Sequence, residues 1–160
     1  MEEWEAFFSG QVAASAALAG LLFVALSINL DTILALPGVP ARAGLTLVTL
    51  STVLIASTAL LAPGQSMRAY GAEVLGIGVV ALALVATLQW RSYRDNPPRL
   101  LAQELGRASI VFLAHVPFVI AGAVLLAGWE GGVYWMLPAV IFSFISVILN
   151  SWVLLIEIKR

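Results

Sequence analysis

The stretch Tyr134–Ile156 reads YWMLPAVIFSFISVILNSWVLLI and contains no charged side chain. A bilayer core about 30 Å thick needs roughly 20 apolar residues in a helix, so this stretch predicts a membrane-spanning helix. Four further runs are similarly apolar, at residues 7–30, 43–61, 70–90 and 108–128. The sequence therefore predicts an all-α bundle of five transmembrane helices in a single domain, residues 1–160.

The breaks between the runs contain proline and glycine, as in Pro37-Gly38 and Pro63-Gly64. These residues end helices because proline lacks a donor and glycine tolerates positive φ. Within each run the apolar residues are continuous rather than alternating, which argues against the strands of a membrane barrel.

Composition excludes several classes of protein. Apolar residues make up 61% of the 160-residue chain and charged residues 11%, whereas soluble domains have about 45–50% apolar and about 25% charged residues. The mean hydropathy of the chain is +1.01. The net charge of −1 offers no basic face for nucleic acid. The lipid bilayer is the expected partner.

Basic residues are distributed unequally between the two predicted membrane faces. Arg68 alone falls on one side, and the other side carries Arg42, Arg91, Arg94, Arg99, Arg107, Lys159 and Arg160. Loops rich in lysine and arginine stay in the cytoplasm, so we expect the N-terminus outside and the C-terminus in the cytoplasm. Between the third and fourth spans, residues 97–105 predict a short interfacial helix on the inner leaflet.

Polar residues inside the spans are candidates for a pore or polar pocket, because lipid offers them no partners. Most belong to the cytoplasmic half of the predicted topology. The candidates are Ser27, Asn29, Asp31, Thr49, His115, Ser143, Ser146 and Asn150.

The fifth span has the clearest pattern, since Ser143, Ser146 and Asn150 recur at helical spacing, with Glu157 seven residues further on. Such a stripe fits either a hydrated pathway or hydrogen bonds between neighbouring helices. The spacing leaves both interpretations open.

Small residues form a stripe on the first span, at Gly10, Ala13, Ala14, Ala17 and Gly20, which continues to Ser27 and Asp31. Small residues allow helix backbones to approach closely, so the stripe predicts a packing face within one subunit or between subunits. Gly71, Gly76 and Gly78 indicate a second close approach on the third span, with Gly78 expected on a different face from Gly71.

Two titratable groups stand apart from this pattern. His115 lies two residues before Pro117, where it fits either a proton relay beside a kink or a buried, hydrogen-bonded histidine. Glu73 and Glu130 fall near the outer face and are candidates for attracting cations. A partly solvated pair between Glu73 and Arg68 is the alternative for the first carboxylate.

No catalytic residue set is expected. The sequence has no nucleotide-binding loop, zinc-helix motif or nucleophile elbow. With no cysteine and one histidine, it predicts no metal site and no cofactor.

Three stretches, Ala19–Leu30, Pro63–Ser66 and Asn150–Ile158, resemble a group of small integral membrane proteins from high-GC bacteria. Some members of that group are described as modulators of an ATP-dependent membrane protease. The resemblance implies a multi-pass protein of the bacterial cytoplasmic (inner) membrane with a regulatory membrane-protein partner.

Two functions follow as hypotheses. The first is a non-enzymatic homo-oligomer that acts as a small, cation-favouring channel, because carboxylates at a mouth concentrate cations. The alternative is an accessory or regulatory subunit of a membrane complex such as an ATP-dependent protease. A small-molecule or lipid carrier, with its pocket between Asn29, Thr49, His115 and Asn150, is a third possibility.

Overall fold

A computed structural model describes residues 2–95 and 101–158. All secondary structure in this part of the chain is helical. The helices are α1 (Glu5–Ile28), α2 (Leu30–Ala35), α3 (Val39–Leu60), α4 (Met67–Asp95), α5 (Leu101–Leu126) and α6 (Met136–Ile158). Single 3-10 segments, Glu2–Trp4 and Glu130–Trp135, precede α1 and α6.

Five of these helices, all except α2, are long and apolar enough to cross a membrane. This confirms the prediction of an all-helical chain with five candidate spans. Which end lies in the cytoplasm stays a prediction.

Helix ends lie where the turn residues predict them. Gly38 adopts a φ of 79° just before α3, and Pro40 occupies the first turn of that helix. Gly128 follows α5 with a φ of 89°, and the Trp129 N–H donates to the Val124 carbonyl at 3.1 Å. This is a glycine-terminated helix end, in which a left-handed residue lets the chain satisfy the last carbonyls.

The observed helix boundaries differ most from the predicted ones around the connection between α4 and α5. Helix α4 continues to Asp95, beyond the predicted end of the third span at residue 90. The predicted interfacial helix falls partly outside the described residues, and from Leu101 the backbone belongs to the same helix as the fourth span.

Helices α3, α4, α5 and α6 form a ring of four in which each packs against the next, and α6 closes the ring against α3. Helix α1 packs on α3 outside this ring. The interior is filled by apolar side chains, including Val53, Val74, Phe118 and Met136, which are fully buried in one cluster. An ion that passed through the centre of the ring would have to displace these buried side chains.

The backbones of α4 and α5 approach each other very closely. A Cβ placed on Gly71 would overlap the Leu126 nitrogen and lie 2.6 Å from its Cα, and one on Gly122 would lie 2.5 Å from the Leu75 Cα. Gly78 also faces α5. The expectation that Gly78 lies on a different face from Gly71 was wrong, because seven residues make nearly two helical turns and return to the same face.

Gly76 differs from its two neighbours in the pattern, because a Cβ placed there meets nothing within 4 Å. Gly76 therefore takes no part in the close approach between α4 and α5. Gly122 on α5 also takes part in this close approach, but the glycine pattern of the third span does not predict it.

Candidate functional site

Helix α1 uses one narrow face to pack on α3. Phe8 and Ser15 are its only buried side chains among the described residues, and they lie about two turns apart on one face. In the most apolar 18-residue segment of α1, only 6% of the residues are buried within the chain, whereas 56% are buried in the corresponding segment of α3. Most of the α1 surface is therefore available to lipid or to another molecule.

The small residues of α1 lie on the face opposite α3, which we call the α1 outer face. A Cβ on Gly10 or on Gly20 would meet nothing within 4 Å. Successive residues are about 100° apart around a helix, so the centre of the stripe lies about 180° from Phe8. All five members are exposed: Gly10, Ala13, Ala14, Ala17 and Gly20. The packing face predicted from these residues therefore does not contact the rest of its own chain.

The α1 outer face changes character toward the other end of the helix. Leu21, Val24 and Ile28 continue it with larger side chains, of which Leu21 is 70% and Ile28 77% exposed. After these three residues, the exposed Asp31 lies in the first turn of α2. The face thus runs from small residues, through an apolar section, to a carboxylate.

Two of the predicted pore candidates at this end hold their side chains against their own helix. The Ser27 hydroxyl donates to the Phe23 carbonyl at 2.8 Å, and the Asn29 amide donates to the Ala25 carbonyl at 2.9 Å. The Asn29 bond coincides with the break between α1 and α2, where the asparagine backbone leaves helical geometry.

Carboxylates gather at the opposite end of the bundle, where α1, α4 and α6 begin. The Trp4 and Tyr134 rings lie 5.1 Å apart edge to face, which places the N-terminal segment beside the 3-10 segment that carries Glu130. Glu3, Glu5 and Glu130 are all exposed. The predicted acidic outer face therefore exists as one end of the molecule, whichever compartment it faces.

Glu73 belongs to the same end but has a partner. The Gln65 side-chain amide donates to both carboxylate oxygens, at 3.2 and 3.3 Å. Gln65, rather than Arg68, is therefore the side chain that holds this carboxylate.

Three buried threonine hydroxyls of α3 are satisfied locally, whereas the buried Ser57 hydroxyl has no partner among the described residues. Thr46, Thr49 and Thr52 each donate to the carbonyl four residues earlier, at 3.1, 2.8 and 2.7 Å. A hydroxyl bonded to its own helix needs neither water nor a neighbouring polar group. Thr49 therefore lies in packed protein and not on an open surface.

The polar stripe of α6 faces the rest of the bundle. Ser143 and Ser146 are buried, and the Ser143 hydroxyl lies 3.4 Å from the Ala114 carbonyl on α5. The Asn150 amide donates to the Ser146 carbonyl at 2.9 Å. The Ser143 contact joins α6 to α5, whereas the Asn150 bond lies within α6. Both are made to helix carbonyls, which favours a packed stripe over a hydrated pathway.

His115 is fully buried. Its Nδ1 lies 2.8 Å from the Val111 carbonyl, which requires the proton on Nδ1 and leaves Nε2 as an acceptor. Nε2 has no hydrogen-bond partner among the described residues. The histidine is therefore half satisfied, and the contacts in this part of the chain supply no second group for a proton relay.

The residues of the proposed carrier pocket do not line one cavity. Asn29 lines a cavity of about 250 Å³ between α1 and α6, together with Leu50 and Ser151, but Thr49 and His115 are absent from that lining. Among the residues that the structure describes, no three His, Asp or Glu side chains are grouped as metal ligands.

Comparison with protein-family models, with curated proteins and with solved structures finds no match for this chain. The resemblance to small bacterial membrane proteins therefore stays a prediction. The molecule's own surfaces are what remains to indicate its function.

Proposed function

We propose that this chain is a non-enzymatic membrane protein that self-assembles around an axis lined by α1 and conducts cations along that axis. The observation that carries the proposal is the α1 outer face. It is exposed, built of small residues, and bounded by Glu3 at one end and Asp31 at the other.

The small residues support assembly because lipid gives apolar helices no hydrophobic reason to associate. Transmembrane helices associate instead through close backbone packing. Ala14 and Gly20, about 60° to either side of Ala17, permit such packing between neighbouring copies while Ala17 faces the axis. Closed symmetric rings are a common outcome when one chain assembles with copies of itself. A ring of copies that meet near α1 would leave the packed four-helix interior of each chain undisturbed.

The carboxylates support a preference for cations. A ring of copies repeats Glu3 and Asp31 around the axis, and rings of carboxylates attract cations to a pore. Leu21 and Val24, with Ile28, would form an apolar constriction between these rings. Constrictions of this kind close a pathway by excluding water.

Disulfide crosslinking tests the assembly, and the absence of cysteine from the chain makes single-cysteine variants unambiguous. We expect Ala17→Cys in native membranes to give a disulfide-linked dimer on mild oxidation, because Ala17 lies at the centre of the α1 outer face. Ala16→Cys is the matched control, since it makes the same substitution at an exposed residue that lies about 100° round the helix.

Equal crosslinking of the two variants would contradict the arrangement. A crosslink from Ala17→Cys to a different membrane protein, without the homodimer, would contradict self-assembly. That result would instead establish the alternative function, an accessory subunit of another membrane complex.

Ion flux into liposomes tests conduction. We expect Leu21→Ser to raise K⁺ flux about tenfold, which corresponds to lowering the barrier by about 1.4 kcal/mol. Phe23→Ser is the control, because Phe23 is 64% exposed on the same helix but lies about 160° from Leu21. Vesicles that remain tight to K⁺ and Na⁺ with both wild type and Leu21→Ser would overturn the channel proposal.

A further inference from the structure

An apolar groove runs along the outside of α3 and α4, far from the α1 outer face. It consists of two cavities, of about 450 Å³ and about 660 Å³, which share Ile55 and Ile77 in their linings. The two cavities are therefore neighbours along the same pair of helices, and together we call them the groove. Each has a volume in the range of sites that hold small ligands, about 300–1,000 Å³.

The groove has the length of one lipid leaflet. It extends along α3 from Thr58 to Leu47 and along α4 from Glu73 to Leu84. Eleven residues of helix correspond to about 16 Å at about 1.5 Å per residue, which is about half of a hydrocarbon core of about 30 Å. A groove of this length would begin at the membrane surface and end near the middle of the bilayer.

The deep part of the groove is apolar and open. Gly76 lies in its wall with no atom within 4 Å of a Cβ position. The Thr52 hydroxyl in the same wall donates to the Val48 carbonyl at 2.7 Å, so its donor is already used. Ile55 and Val80 are about half exposed. These surfaces would face lipid chains rather than water.

The mouth of the groove presents acceptors. The Gln65 amide donates to both Glu73 oxygens, and this bond fixes the amide orientation. Gln65 Oε1 is left buried without a partner among the described residues. The exposed Glu73 carboxylate therefore lies where the apolar groove meets the surface, held there by a Gln65 side chain whose Oε1 is closed to solvent.

The turn that carries Gln65 is held in place by bonds of its own. The Tyr70 hydroxyl donates to the Ala62 carbonyl at 2.6 Å, and the Ala69 N–H donates to the Ser66 hydroxyl at 3.3 Å, as at a capped helix start. The mouth is therefore formed before any ligand arrives, which reduces the entropy lost on binding.

We propose that this groove binds a phospholipid whose headgroup ends in a primary ammonium, with one acyl chain along α3 and α4 and the ammonium at Glu73. The ammonium brings three N–H donors and a positive charge, which match the exposed Glu73 carboxylate. An anionic headgroup would be repelled by Glu73. A quaternary ammonium has no N–H to donate to this carboxylate.

Native mass spectrometry of the detergent-solubilised chain tests this binding without any measurement of flux, so its outcome is independent of the proposed channel. The probes are phosphatidylethanolamine, phosphatidylcholine and phosphatidylglycerol with identical acyl chains, in equal amounts. We expect phosphatidylethanolamine to be retained about fivefold over phosphatidylcholine, as for a charge pair at a water boundary. Phosphatidylglycerol should be retained least.

Two variants address the two parts of the site. Glu73→Gln should bring the ratio of bound phosphatidylethanolamine to bound phosphatidylcholine close to one. Glu130→Gln should leave this ratio unchanged, because Glu130 is an exposed carboxylate outside the groove.

Gly76→Phe should reduce retention of all three lipids about tenfold by filling the groove. Val79→Phe is its control, since Val79 is exposed on α4 but does not line the groove.

Equal retention of the three headgroups by the wild-type chain would overturn the proposal. It would equally be overturned if Gly76→Phe retained lipid as well as Val79→Phe does. A Cβ at Gly76 meets nothing within 4 Å and Val79 is half exposed, so the two variants should fold alike.

Discussion

Replacing Gly122 by alanine should lower the free energy of unfolding by about 3 kcal/mol, at the upper end of the cost of overpacking. The added Cβ would overlap the Leu75 nitrogen and lie 2.5 Å from the Leu75 Cα. These are backbone atoms of α4, so no side-chain rotation can relieve the clash. The two helices must separate, and the contacts that depend on their proximity weaken together.

Gly71→Ala should have a similar effect, because its Cβ would overlap the Leu126 nitrogen on α5. The matched control is Gly76→Ala on the same helix as Gly71, where the Cβ meets nothing within 4 Å. Alanine favours helix over glycine by about 1 kcal/mol, so the control should be neutral or slightly more stable. Gly122→Ala and Gly71→Ala should therefore both destabilise the protein, whereas Gly76→Ala should leave its stability unchanged or raise it slightly.

Unfolding of purified protein in mixed micelles, with a rising fraction of sodium dodecyl sulfate and helix content as the signal, measures these differences. Unfolding free energies for Gly122→Ala and Gly76→Ala within about 0.5 kcal/mol of each other, the usual scatter of neutral substitutions, would contradict the close approach of α4 and α5.

Phe8→Ala should lower the free energy of unfolding by about 2 kcal/mol and release α1 from α3. Phe8 is fully buried and belongs to the central apolar cluster. Apart from Phe8, α1 buries only Ser15 among its described residues. Large-to-small substitutions of buried aromatic residues cost about 3–5 kcal/mol in water-soluble cores. A smaller value is expected here because lipid can replace part of the lost contact.

Phe23→Ala provides the control, since it makes the same chemical change on the same helix at a side chain that is 64% exposed. We expect its effect to stay within about 0.5 kcal/mol. Undocking of α1 is detected by adding Ser15→Cys to each background and measuring its reaction with a maleimide in micelles. The reaction should accelerate with Phe8→Ala and not with Phe23→Ala. Equal stability and equal labelling in the two backgrounds would show that Phe8 does not anchor α1.

Several features of the candidate site could be predicted from the sequence because they depend on residue type and spacing along one helix. The exposed carboxylates Glu3, Glu5 and Glu130 follow from their positions at the ends of apolar runs. The stripe of small residues on α1 and the stripe of polar residues on α6 follow from helical periodicity. What each stripe contacts does not follow from periodicity, and the two differ: the α6 stripe lies against α5, whereas the glycines of the α1 stripe face open space.

The groove along α3 and α4 has no signal in the sequence. It depends on the separation of two helices, on the open wall at Gly76 and on the bond between Gln65 and Glu73, which lie eight residues apart across a turn. Similarly, Gly71 and Gly122 are 51 positions apart in the chain and on different helices. Only their contact with α5 and α4, respectively, distinguishes them from Gly76.

Residue composition and the length of the apolar runs are sufficient to predict that the chain is helical and that five helices are long and apolar enough to cross a membrane. Unpaired backbone groups are so costly in lipid that an apolar run of this length must form a helix. Tertiary structure alone decided which face of each helix is inside. In water a polar face marks the outside of a helix, but lipid is as apolar as the protein interior, so both faces of α1 have side chains of the same character. Shape complementarity selects the inner face, since Phe8 fits into the buried cluster beside α3. This complementarity depends on the packed arrangement of several helices and cannot be read from one helix alone.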